Sequence, residues 1–266
     1  MVSMAVCCVF LQMAASCVSA PQLEKAQFSQ RHYTFSVLLH PEDPANSTRL
    51  EVALALLRMN YPEEQAEFLN EVLYQSKGID GYRDWVLTEH REDYRTNLLA
   101  LERAERRIMT GSNWRYTESI RVKDSSEAGL VIEREHHSYN SGENSLMSMR
   151  YYVLDMEDCQ WIKIDDLFRD FQGDATRAVI YEELRNYSSL AEGQPLSRGI
   201  YLSNEPELSF NFFITQEGIG LHWDPDEIAP ISRGCISIIL PWRKIRPLLL
   251  HEGMELLTKF GIHLFI

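Results

Sequence analysis

Trp114-Arg115-Tyr116-Thr117-Glu118-Ser119-Ile120-Arg121-Val122, Leu130-Val131-Ile132-Glu133-Arg134-Glu135-His136-His137-Ser138-Tyr139 and Leu146-Met147-Ser148-Met149-Arg150-Tyr151-Tyr152-Val153-Leu154 are the stretches that decide the fold class. Each is rich in β-branched and aromatic residues and alternates apolar with polar positions, as strands require. Between them stand Lys123-Asp124-Ser125-Ser126 and Asn140-Ser141-Gly142-Glu143-Asn144, residues whose short polar side chains or free φ favour turns. Three strands joined by short turns predict an antiparallel meander.

Upstream, Phe28, Tyr33, Phe35, Val37 and Leu39 recur mostly at period two, and His40-Pro41-Glu42-Asp43-Pro44-Ala45-Asn46 is turn chemistry. Leu50 to Asn60 is read as the second strand of a hairpin, although its alanines and leucines favour helix. Pro62 suits the first turn of a helix, with Glu63, Glu64 and Glu67 near its positive end and Gly78 ending it. A second helix is expected over Tyr82 to Arg107, with its apolar stripe on Trp85, Val86, Tyr94, Leu98, Leu99 and Leu101.

Downstream, Asp165-Asp166-Leu167-Phe168 opens a helical region that resumes after Gly173. Strands are expected at Gly199 to Leu202, Ser209 to Thr215, Ile219 to Trp223 and Ile236 to Leu240, and a helix from Ile245 to Lys259. Without regular βαβ alternation, the order predicts an α+β fold: antiparallel sheets with packed helices, in two closely associated subdomains.

The 266 residues carry a formal charge of −13, with 45% apolar composition, enough for a substantial core. An acidic surface repels phosphate, and the basic cluster Arg103, Arg106 and Arg107 is interleaved with Glu102 and Glu105, so nucleic acid is excluded as a partner. Residues 1–20 contain no charged side chain and end in small residues, which reads as a secretory leader too short to span a bilayer. Val18-Ser19-Ala20 is one cleavage site; Ala14-Ala15-Ser16-Cys17 is the other, and would make Cys17 the lipidated residue of an exported lipoprotein. Membrane attachment is expected only through that anchor. Cys159 and Cys235 remain for the folded body, too few for a metal site by themselves, and whether they pair is left open.

The densest polar constellation is His222-Trp223-Asp224-Pro225-Asp226-Glu227-Ile228-Ala229-Pro230. As a catalytic site it offers His222 as base beside three carboxylates, yet carboxylates crowded on one turn do not flank a substrate. As a calcium loop it lacks the glycine and distal glutamate of the EF-hand. As an acidic capping box, Asp224 is the N-cap, Pro225 is N1 and Glu227 is N3, and Pro230 limits the segment to one helical turn. The last reading is preferred, so no catalytic residues, metal or cofactor are expected.

His136 and His137 are neighbours on a strand, face opposite ways and cannot share one metal. Glu133 and Glu135 flank Arg134 and are expected on a solvated charged face. Trp114, Tyr116, Tyr139, Tyr151 and Tyr152 form either a saccharide or protein platform or, more commonly, cross-strand packing.

Glu217-Gly218-Ile219, His222 to Pro230, then Gly234, Ile236, Ile238 and Leu240-Pro241 resemble the C-terminal signature of RsiV-type extracellular domains. Tyr151 to Asp155 with Ile164-Asp165-Asp166-Leu167-Phe168 resembles that family's second motif, and residues 28–139 are similar to the PdaC-like domain that precedes it. After the leader over residues 1–20, the resemblance implies a PdaC-like α+β domain over 21–140 and an RsiV-type α+β domain over 141–266. It also implies a non-catalytic cell-envelope binding or sensing module, with lysozyme or peptidoglycan as ligand; within the polar constellation, His222, Trp223, Asp224, Asp226 and Glu227 are the candidate binding residues. The alternative is a cell-wall glycan hydrolase, or a deacetylase-associated protein, using Asp224, Asp226 or Glu227.

Overall fold

A computed structural model describes residues 27–100, 113–140 and 146–264 of the chain. The period-two segments form six strands: β1 (Gln27–Leu38), β2 (Arg49–Asn60), β3 (Trp114–Ser125), β4 (Gly129–Tyr139), β5 (Leu146–Asp155) and β6 (Gln160–Ile162). They lie in chain order in one sheet. β3 to β5 make the expected antiparallel meander, which β6 extends by one short strand beyond those expected, and β1 and β2 make the expected hairpin. β2 and β3 run parallel, an arrangement that needs a long crossover. Helices α1 (Glu63–Tyr74) and α2 (Gly78–Ala100) lie within it.

β2 is a strand despite its helix-favouring composition because alternation buries Leu50, Leu54 and Leu56 on one face, a tertiary gain larger than the propensity it opposes. α1 does not run to Gly78. It stops at Tyr74, where Gln75 turns left-handed (φ 50°) and its N–H closes on the Asn70 and Glu71 carbonyls. Gly78 instead opens α2, its N–H held at 2.7 Å by Asn70 Oδ1.

The sheet is a wall between two cores, and single-residue alternation assigns side chains to them. Leu130, Ile132, Tyr152 and Leu154 enter the core with α1 and α2, while Val131, Tyr151 and Val153 enter the other. A continuous apolar run is the pattern of a strand covered on both faces. The second core is closed by a three-stranded antiparallel sheet, β7 (Phe212–Ile214), β8 (Gly218–Trp223) and β9 (Ile236–Pro241), and by α3 (Asp174–Tyr187). Residue 140 lies between β4 and β5, adjacent strands of the same sheet, so the two halves of the chain share this wall.

Ile164–Asp166 is a single 3-10 turn, and Gly199 to Leu202 is not a strand; Leu202 is tied to the Ile228 carbonyl by one N–H at 2.9 Å. The C-terminal helical region is broken by Pro247 into α4 (Trp242–Ile245), a 3-10 turn (Arg246–Leu248) and α5 (His251–Thr258). No helix among the described residues is long and apolar enough to cross a membrane.

Candidate functional site at the β8–β9 corner

β8 carries His222 near its end, and Asp224 follows two residues on, so the strand's period places both on one side. The register sets His222 opposite Ser237 and Trp223 opposite Ile236, which brings Cys235, two residues before Ser237, to the same side. Gly234 leads into Cys235 with φ 69° and ψ −159°, a conformation essentially restricted to glycine.

Ligand-capable atoms of His222, Asp224 and Cys235 lie within 4.8 Å of one another. His222 is 2% exposed; its Nδ1 is 2.8 Å from Ser237 Oγ and its Nε2 3.2 Å from Asp224 Oδ1. The Tyr151 ring closes the inner side edge-to-face at 5.7 Å. Asp224 and Cys235 are partly exposed, so the cluster opens to solvent. Burial pushes the Asp224 carboxyl up, but hydrogen bonds from His222, the Met149 N–H and Ser148 outweigh it and hold the group below its ordinary value. The Cys235 thiol is pushed up by burial and by Asp224, Glu135 and Glu227, the opposite of what a nucleophilic cysteine requires.

The turn after β8 holds half of the expected capping box. Glu227 Oε2 accepts the Asp224 N–H at 2.7 Å, while the Asp224 carboxylate reaches away from the turn and accepts the Met149 N–H of β5 at 2.8 Å. With its cap diverted and Asp226 left-handed at φ 72°, the segment is a turn and not a helical turn. The expected binding residues are therefore split. Trp223 is a core side chain whose indole N–H donates to the Glu207 carbonyl at 2.9 Å, His222 is buried beside it, and Asp226 and Glu227 are exposed.

Cys235 is the member that inspection of the sequence missed. Its only sequence signal is spacing, His-x-Asp in one strand and Cys-x-Ser at the start of the next, which acquires meaning only once the register is known. Cys159 and Cys235 are both free thiols and do not pair. Residues 1–20, with Cys17, lie outside the described residues.

His136 and His137 do face opposite ways: His136 stacks on Tyr116, and His137 Nε2 is 2.8 Å from Glu135 Oε1. The expectation of a solvated Glu133-Arg134-Glu135 face is corrected, since Glu133 is 5% exposed and Arg134 turns to the helix side, 2.7 Å from the buried Glu118. Packing also claims the aromatics: Trp114, Tyr151 and Tyr152 are buried and only Tyr139 is well exposed.

A different surface lies on α1. Glu63, Glu64, Glu67 and Glu71 are exposed along a helix that contains no Lys or Arg. Gln65 Nε2 donates to the Met156 carbonyl at 2.9 Å, setting the helix beside the β5–β6 turn. There one ammonium, Lys259, serves three carboxylates, Asp155, Glu157 and Asp158.

No curated protein matches the chain. Among solved structures, a DUF3298-family protein from Bacteroides fragilis superposes with a TM-score of 0.69 at 17% identity, covering 90% of this chain and 100% of its own. A DUF3298-family protein from Pseudomonas aeruginosa superposes with a TM-score of 0.56 at 11% identity, covering 85% of this chain and 96% of its own. At these identities the likeness is one of fold. Residues 165–243, which contain α3, the second sheet and the β8–β9 corner, match the family described as Protein of unknown function (DUF3298).

Proposed function

We propose that this chain is an exported cell-envelope binding or sensing module whose ligand is a basic protein of the lysozyme kind, as its resemblance to RsiV-type and PdaC-like domains implies. The observation that carries the reading is the α1 stripe. Glu63 and Glu64 are favoured by the helix dipole, but Glu67 and Glu71 stand four residues apart on one face, where like charges repel by a few tenths of a kcal/mol. A cationic partner relieves that repulsion, and the net charge of −13 steers it in. No observation favours the hydrolase reading, because Asp224 is engaged with Met149 and His222 and Glu227 with the Asp224 N–H.

Titration calorimetry with lysozyme, and co-sedimentation with purified peptidoglycan, test the proposal. The expected result is lysozyme binding that weakens steeply with added salt and falls at least ~10-fold in Glu67→Lys/Glu71→Lys. Absence of binding to either ligand at low salt rejects the module reading. Binding unaffected by the charge reversals rejects the α1 surface.

A further inference from the structure

We propose that His222, Asp224 and Cys235 bind one divalent transition-metal ion, zinc by the preferences of the donor set, at the corner where the second sheet meets β5. One imidazole nitrogen, one carboxylate oxygen and one sulfur are the donor types zinc takes, at about 2.0–2.3 Å from the ion. Tetrahedral geometry at those lengths puts donor atoms roughly 3.3–3.7 Å apart. His222 Nε2 and Asp224 Oδ1 already stand 3.2 Å apart, and the whole set lies within 4.8 Å, so the donors need to draw together by only roughly 1 Å.

The surroundings are built as a metal's outer shell is. Without the ion, Nε2–H donates to Asp224; when the ion binds, the ring proton sits on Nδ1, where Ser237 Oγ at 2.8 Å accepts it, and the Nε2 lone pair takes the metal. The Met149 N–H holds the carboxylate, and the Tyr151 ring holds the imidazole from within. Glu135 and Glu227 act electrostatically on Cys235 and add negative potential that favours a cation. The ion forms a Zn–S bond as the thiol proton leaves to solvent. Partial exposure of Asp224 and Cys235 leaves a fourth position for water or for a donor from a ligand.

The site is remote in sequence from the acidic α1 stripe, and its existence does not depend on the binding of a basic protein. Because Asp224 also joins the two sheets, an ion there stabilises the folded chain by mass action. Metal-free full-length protein titrated with Zn2+ is expected to bind one equivalent saturably and to melt at higher temperature. The Co2+ form is expected to show thiolate-to-cobalt charge-transfer absorption. Cys235→Ser should lose that absorption and the Zn2+-dependent rise in Tm, whereas a variant with Cys7, Cys8, Cys17 and Cys159 changed to Ser should keep both. Asp224→Asn should weaken binding at least ~10-fold, and Ser237→Ala about 10-fold. Circular dichroism of each metal-free variant checks that it folds. No saturable Zn2+ binding, or binding and charge-transfer absorption unchanged in folded Cys235→Ser, overturns the site.

Discussion

The carboxylate of Asp224 accepts the backbone N–H of Met149 at 2.8 Å, joining the turn after β8 to the part of β5 that β6 is too short to cover. Asn211 continues the seam: its Oδ1 accepts the Tyr151 N–H at 2.8 Å and its Nδ2 donates to the Met149 carbonyl at 2.6 Å. Two side chains thus do for this edge what a neighbouring strand does elsewhere, satisfying backbone groups that water would otherwise have to reach. Asn211→Ala leaves one donor and one acceptor without these partners in a partly buried seam. The expected loss is about 1–3 kcal/mol, read by urea denaturation.

Gly253 lies inside α5, where alanine ordinarily stabilises by about 1 kcal/mol. Here a Cβ would meet the Leu167 carbonyl oxygen at 2.6 Å and its Cα at 2.7 Å, and backbone cannot swing aside as a side chain can. Overpacking costs of about 1–3 kcal/mol outweigh the propensity gain, so Gly253→Ala is expected to lower Tm. A raised Tm would show that α5 can move off the Leu167 backbone without loss.

Glu118 and Arg134 form an ion pair at 2.7 Å beneath α2, with the Glu118 side chain at 0% exposure and Tyr82 and Tyr116 donating to the same carboxylate. Removing one partner strands the other charge. Arg134→Met or Glu118→Leu is each expected to cost about 3–5 kcal/mol, and the double variant clearly less than their sum, in a double-mutant cycle followed by chemical denaturation.

Burial pushes the Glu133 carboxyl up, but Arg121, Lys123 and Tyr151 together hold it below its ordinary value of 4.5. A carboxyl depressed in the folded state contributes stability that is complete above the unfolded value and is lost as pH falls through the folded one. Glu133→Gln is therefore expected to be less stable than the parent at neutral pH, with the difference shrinking as pH drops below about 4.5. Thermal melts of both proteins across that range measure it, and a constant difference would mean that packing, not charge, accounts for the loss.

Much of the architecture was legible. The alternation in Leu130-Val131-Ile132 and Tyr151-Tyr152-Val153-Leu154 marks strands, because backbone pleat alone sends successive side chains to opposite faces. Turn residues placed the meander, and Pro62 placed the start of α1. Helix ends were less legible: Gln75, not Gly78, closes α1, since a left-handed cap is favoured but not restricted to glycine. The solvated face expected for Glu133 and Arg134 failed because their ion-pair partners, Arg121 and Glu118, both stand on β3, where strand register rather than local sequence places them.

By itself the sequence determined the α+β class, the acidic charge and the apolar strand that ends at His222-Trp223 before a Pro-bounded polar segment. All of these depend on neighbours a few residues apart, whose geometry the backbone period sets. Only the tertiary structure decided that Asp224 leaves its own turn for Met149, that Trp223 is core, and that Cys235 joins His222. Those relationships link residues 149, 211, 222 and 235 through strand register and the packing of two sheets, and no local periodicity specifies which strands meet or how far one slides along the other.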